Sequence, residues 1–193
     1  MMYCRIAVDN ETANKNMTNN QPSHGDWQDD VLPVLKSAGI KHIAYVPDAG
    51  HTRAINAANA DPEINSVVLT TEEEGLGYLA GAWLGGDRGA LLLQSSGVGN
   101  CINTLALQAS ARFPLLMLVT MRGDWAEFNP WQNPMGQSTE EVLKLMGVMT
   151  WRADKAEDVA RLIRGAATMA FDGDSACAVI LGQQLIGEKE WNQ

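Results

Sequence analysis

The run Thr71-Glu72-Glu73-Glu74-Gly75-Leu76-Gly77 sets three carboxylates directly behind the apolar segment Val67-Val68-Leu69. Acids in the first turn of a helix complement its macrodipole, and that service alone can account for them. The helix behind them is less ordinary, because Gly77 and Gly81 lie four residues apart and share one face. Each costs about 1 kcal/mol relative to alanine in a helix interior. A helix that accepts this cost gains close approach to another backbone, a cofactor or a second subunit. A second chemical candidate is Gly97-Val98-Gly99, whose bare backbone at a strand-to-helix turn could cradle an anion. It does not complete a dinucleotide fingerprint: position 102 is Ile, and the next strand ends in Thr120-Met121-Arg122 without an acid for a ribose. A tight structural turn is the equal alternative. The chain has no GxxxxGK[ST] loop, and no GxSxG elbow surrounds Ser95 or Ser96.

These residues need elements to hold them. From residue 26 onward apolar periodicities alternate between helix and strand. Trp27, Val31 and Leu35 mark a first helix, with Pro33 predicting a kink or a later start. Strands are expected at 42–46, 66–69, 90–94, 114–120, 148–151 and 176–181. Helices are expected at 52–59, from Glu72 onward, and at 102–110, 138–146 and 156–171. Residues 95–100 read as a turn, 122–137 as a long loop, and Ser138-Thr139-Glu140-Glu141 as a capping box. Six strands alternating with helices predict an α/β fold with a doubly wound six-stranded parallel sheet. Ligands in such a sheet sit at the carboxyl ends of the strands. Here those ends are Pro47-Asp48-Ala49-Gly50-His51, Thr71-Glu72, 95–100 and Met121-Arg122-Gly123-Asp124.

Composition narrows the partners. At 193 residues the chain is expected to form one domain over 26–187, with a polar, disordered arm at 1–25 and a short tail at 188–193. A net charge of −9 and a pI near 4.7 argue against nucleic acid or an anionic membrane as partner. No apolar run is long enough to span a membrane, and no signal-peptide core opens the chain. Cys4, Cys101 and Cys177 form no CxxC pair and read as reduced thiols of a cytoplasmic protein. His24, His42 and His51 lack metal-ligand spacing, so no protein-ligated metal is expected.

Taken in order, several of these segments resemble one family. Glu72 with Gly77 and Gly81 looks like the catalytic-glutamate helix of thiamine diphosphate enzymes. Gln94-Ser95-Ser96-Gly97-Val98-Gly99-Asn100, Met121-Arg122-Gly123-Asp124, then Pro130, Gln132, Met135 and Gly136 follow at the spacing of phosphonopyruvate and sulfopyruvate decarboxylases. Tyr45-Val46-Pro47-Asp48 is similar to their first strand end, and the likeness spans residues 28–186. It implies a pyrimidine-binding domain in which Glu72 hydrogen-bonds N1′ of the cofactor's aminopyrimidine and favours the tautomer that deprotonates C2. Gly97, Gly99 and Asn100 would line the cofactor. His51, Arg53, Gln94, Arg122 and Gln132 would be candidates for the substrate and its distal anion, for which Arg offers the best planar fork; the alternatives are that Arg122 ties down its own loop and that His51 is a structural hydrogen-bonder.

The family holds the diphosphate and Mg²⁺ through a GDG motif in a second domain, and neither Gly123-Asp124-Trp125 nor Asp172-Gly173-Asp174 is that motif. The resemblance therefore implies the α subunit of a split 2-oxo acid decarboxylase, with a β subunit carrying the diphosphate domain and Mg²⁺. Sulfopyruvate is the expected substrate, giving sulfoacetaldehyde and CO₂. The alternatives are phosphonopyruvate, another 2-oxo acid, or a non-catalytic regulatory or binding subunit of the same fold.

Overall fold

The computed structural model describes residues 27–188, so the expected arm at 1–25 and most of the expected tail lie outside them. Six strands form one all-parallel sheet: β1 (Ile40–Tyr45), β2 (Asn65–Val68), β3 (Arg88–Gln94), β4 (Leu115–Thr120), β5 (Met149–Ala153) and β6 (Ala176–Leu181), in the order β2-β1-β3-β4-β6-β5. The expected doubly wound α/β sheet is present. β3, β4 and β6 are its centre, and the continuous apolar runs of β4 and β6 (LLMLVT and ACAVIL) are buried throughout, as parallel strands covered on both faces require.

Helices α1 (Trp27–Ser37), α2 (Thr52–Ala60) and α7 (Ala156–Phe171) cover one face, over a core that includes Leu92, Leu116, Leu118 and Val179. Helices α3 (Glu72–Leu84), α4 (Ser95–Cys101), α5 (Leu105–Ala111) and α6 (Asn133–Leu145) cover the other, over Leu91, Leu93, Met117 and Ile180. The alternation of odd and even strand residues between the two cores is the period-two pleat of the strands. A last short helix, α8 (Gln183–Ile186), follows β6.

Four local expectations need correction. Pro33 does not delay α1, which already includes Trp27 and runs through it. Residues 95–100 are not a turn: β3 ends at Gln94 and α4 begins at Ser95, so Gly97 and Gly99 are helical and form no loop cradle. The break comes later, at 102–104. The 122–137 loop is shorter than expected, because a 3-10 turn (Pro130–Gln132) leads into α6 at Asn133. Ser138 and Thr139 accordingly lie inside a helix, where their hydroxyls bond back to the carbonyls of Pro134 and Met135.

The chain reverses winding direction between β1 and β3. That switch point opens a crevice at the carboxyl ends of the two strands.

Candidate active site

The three acids that open α3 divide their work. Glu74 accepts from the Thr70 backbone N–H at 2.9 Å, and Glu73 accepts from the Thr71 hydroxyl. Both bonds satisfy groups around the helix start, where the macrodipole also favours negative charge. Glu72 turns inward and is 9% exposed. Its Oε2 accepts from Asn100 Nδ2 at 2.8 Å, and its carboxyl lies over Gly97. A β-carbon at 97 would stand 2.5 Å from Glu72 Cδ and Cγ, so α4 can pass beneath this carboxylate only because the residue is glycine. The neighbouring Cys101 thiol is pushed up to about 12, by burial first and then by the charges of Glu72 and Glu73. It is a neutral thiol at ordinary pH.

Of the cofactor-lining candidates, Gly97 and Asn100 thus meet Glu72. Gly99 faces α6 instead, where a β-carbon would lie 3.2 Å from Met135 Sδ. The glycine that α3 needs for its own core is Gly75, which sequence reasoning passed over: a β-carbon there would lie 2.5 Å from Leu91 Cδ1 and 3.0 Å from Leu69 Cδ1. Gly77 and Gly81 look onto open space.

The substrate candidates separate. Gln94, the last residue of β3, stands at the crevice, donating from Nε2 to Asp48 Oδ1 at 3.0 Å and accepting from Ser96 Oγ at 2.9 Å. Arg122 is tied into its own loop. Its Nε and Nη2 hold Glu127 at 2.5 and 2.6 Å, with only 11% and 2% of the two side chains exposed. That bidentate pair, helped by the Asn129 N–H and the Gln183 amide, holds the Glu127 carboxyl down at about 2. Gln183 also accepts from the backbone N–H groups of Asp124 and Trp125, while Ser95 Oγ both donates to and accepts from the Arg122 backbone. Gln132 closes the same loop: its backbone packs on Gly123, and its side-chain Oε1 is buried without a partner among the described residues.

His51 is 1% exposed, with Nε2 bonded to Leu118 O at 3.0 Å and Nδ1 without a partner among the described residues. Burial lowers its pKa against the opposing effects of Asp48 and the Leu118 and Leu93 carbonyls, so the ring is neutral. Arg53 is exposed on α2 and pairs with Asp29 of α1 at 3.0 Å. The structure thus does not gather the five into one place. It adds Asp48, Ser96, Thr120, Glu127 and Gln183, of which Asp48, Ser96 and Thr120 carried a sequence signal, as polar residues at strand ends. Among the described residues no group of His, Cys, Asp and Glu could hold a metal ion, and no helix is long and apolar enough to cross a membrane.

Residues 26–138 match the model of the thiamine pyrophosphate enzyme N-terminal TPP binding domain. The sulfopyruvate decarboxylase subunit alpha of Methanococcus maripaludis is 32% identical over 78% of this chain and 91% of its own length. The chain belongs to this family of thiamine pyrophosphate enzymes. The corresponding subunit of Methanocaldococcus jannaschii is 35% identical over 73% of this chain and 84% of its own length. Phosphonopyruvate decarboxylase of Streptomyces viridochromogenes is 36% identical over 63% of this chain, which corresponds to 31% of that longer protein. In fold alone, the chain is similar to a 2-oxoglutarate:ferredoxin oxidoreductase from Magnetococcus marinus, with a TM-score of 0.64 at 14% identity, covering 83% of this chain and 29% of that one. The Glu72, Gly97 and Asn100 cluster of this chain, at the start of α3 and on α4, lies inside the matched residues.

Proposed function

We propose that this chain is the α subunit of a split thiamine diphosphate-dependent decarboxylase that converts sulfopyruvate to sulfoacetaldehyde and CO₂. The observation that carries the reading is the Glu72 carboxylate, buried at the start of α3, with one oxygen held by Asn100 and its body seated on Gly97. The other oxygen, Oε1, lies over Gly97 and takes no hydrogen bond among the described residues, so it is left for one directed bond, which suits a ring nitrogen of an aminopyrimidine. The cofactor, when bound, supplies the electron sink that loss of CO₂ from a 2-oxo acid requires.

The chain's own residues do the positioning. Glu72 would hold the ring nitrogen, and Asn100 fixes which Glu72 oxygen faces it. Burial makes that hydrogen bond electrostatically stronger than it would be in water. Gln94, at the carboxyl end of β3, would meet a 2-oxo acid that enters the crevice. The buried pair with Glu127 makes Arg122 the residue that orders the 122–132 loop, and any meeting with the substrate's distal anion would be shared with that task.

A β subunit carrying the diphosphate and Mg²⁺ site completes the proposal. The outer face of α3 supports it: Gly77 and Gly81 have open space before them, and Leu84 nearby is 87% exposed. The α-subunit names of the relatives from Methanococcus maripaludis and Methanocaldococcus jannaschii point the same way.

The test is to assay the chain alone and with its partner against sulfopyruvate, phosphonopyruvate and pyruvate. Only the assembled pair should turn over, and sulfopyruvate should be the best substrate. Full turnover by the single chain with cofactor and Mg²⁺ would refute the split site.

A further inference from the structure

Asp48 follows β1 and reaches across the switch point to two other strands. One carboxylate oxygen accepts from Gln94 Nε2 at 3.0 Å, and the other accepts from the hydroxyl of Thr120, the last residue of β4. Gln94 and Thr120 are register neighbours in the sheet, so a single side chain ties the ends of β3 and β4 to the segment after β1. The turn that follows leaves the carboxylate little room. A β-carbon at Gly50 would stand 2.7 Å from Thr120 Cγ2 and 3.1 Å from Asp48 Oδ2.

This bond fixes the orientation of the Gln94 amide. A carboxylate can only accept, so the Gln94 NH₂ must face Asp48, and its carbonyl is left to take the proton of Ser96 Oγ at 2.9 Å. The chain of bonds runs from Ser96 through Gln94 to Asp48, and each bond polarises the next. One Gln94 N–H remains uncommitted among the described residues. Ser96, at the other end, is the residue before Gly97, on which Glu72 rests. The polar chain and the Glu72 cluster therefore adjoin.

A 2-oxo acid at neutral pH offers carbonyl and carboxylate oxygens, all acceptors. A freely rotating glutamine would present its own carbonyl to them half the time. We propose that Asp48 is a positioning residue for substrate binding, which locks the Gln94 carboxamide so that an N–H meets an acceptor oxygen of the substrate. The proposal rests on the decarboxylase reading above, and its tests can fail separately from that reading.

In the assembled enzyme, Asp48→Ala and Gln94→Ala should each raise KM for sulfopyruvate about tenfold. The double variant should be no worse than either, because both changes remove one interaction. Exchange of the cofactor's C2 hydrogen should stay at the wild-type rate in all three. Calorimetric affinity for the unreactive alcohol 3-sulfolactate should fall in parallel with KM.

The reversed pair separates recognition from support. Gln94→Glu alone sets two carboxylates face to face and should lower Tm. Adding Asp48→Asn restores a bond of opposite polarity and should recover Tm, while KM stays high because no N–H remains at position 94. Recovery of KM together with Tm would overturn the proposal, as would additive effects of the two alanine changes or an unchanged KM in Asp48→Ala. Slowed C2 exchange in Asp48→Ala would overturn it too, by placing the residue on the Glu72 side of the chemistry. If Asp48→Ala does not fold, Asp48→Asn keeps the shape and should still raise KM. Glu72→Gln, run in parallel, isolates the parent reading: unimpaired exchange there would sink the decarboxylase assignment and this proposal with it.

Discussion

Gly97→Ala separates what holds the fold from what holds the carboxylate. Gly97 lies inside α4, where alanine is favoured by about 1 kcal/mol on helix propensity. Against that gain stands a methyl group 2.5 Å from Glu72 Cδ and Cγ, where ordinary contact begins near 3.4 Å. Relief requires the carboxyl to move by roughly 1 Å (3.4 minus 2.5). Overfilling of this kind costs about 1–3 kcal/mol. The two effects oppose, and the net change in stability should be about 0–2 kcal/mol. Catalysis has no such compensation. Displacement of a positioned catalytic group by ~1 Å can cost on the order of 100-fold, and the move also strains the Asn100 bond.

The assay is paired: thermal unfolding of the assembled protein, and hydrogen–deuterium exchange at the cofactor's C2 followed by NMR. Melting within a few degrees of wild type with exchange about 100-fold slower is the expected outcome. Gly99→Ala is the control, because its neighbour is the mobile end of Met135, and both readouts should stay near wild type. Wild-type exchange in Gly97→Ala would mean that the position of Glu72 is not what the chemistry depends on.

Glu72→Gln should abolish most C2 exchange without lowering Tm, whereas Glu73→Gln and Glu74→Gln should cost only tenths of a kcal/mol, as surface changes do; a larger exchange defect at 73 or 74 would reassign the base. Gly77→Ala and Gly81→Ala meet open space and should each raise Tm of the isolated chain, by up to about 1 kcal/mol in stability, while weakening association with the partner; pull-down of the pair at wild-type affinity would remove this face from the interface. Arg122→Ala should lower kcat/KM for sulfopyruvate and pyruvate alike, because it releases the loop, and a loss confined to sulfopyruvate would show instead that the guanidinium meets the distal anion. Glu127 is held at about 2 against an ordinary 4.5, so its contribution is complete above pH 4.5 and is lost as pH falls through about 2; Trp125 fluorescence should report that loss in the wild type, and Glu127→Gln, at a cost on the order of 3 kcal/mol for a broken buried pair, should remove the transition.

The sheet could be read from the sequence because its central strands are continuous apolar runs bounded by Gly, Pro and Asp, and helix α7 keeps its apolar period for sixteen residues. Glu72 was legible for a comparable reason, since a carboxylate directly after a strand must stand at the ligand end of the sheet. Gly97-Val98-Gly99 misled because two glycines in seven residues lower helix propensity, and packing under Glu72 overrides that local preference. The start of α6 was misplaced because Asn133-Pro134 suits both a loop and the first turn of a helix, and only the packing of Gly136 on Gly123 decides between them. For Arg122 the sequence leaves open both an anion fork and a tie within its own loop, and the structure shows the tie. The partner Glu127 sits five residues on within a loop, a spacing that carries no periodic signal.

The direct junction of β3 to α4 has a mechanical consequence. Gln94 is the last strand residue and Ser95 the first helical one, so no hinge separates the sheet from Ser96, Gly97 and Asn100. Ser95 in turn clamps the Arg122 backbone from both sides. This half of the site is therefore built as a fixed anvil, with helix, strand end and loop joined directly. In the proposed split enzyme, a closing stroke would therefore come from the second subunit, with a rate set by the hinges of that subunit and by solvent viscosity at the interface.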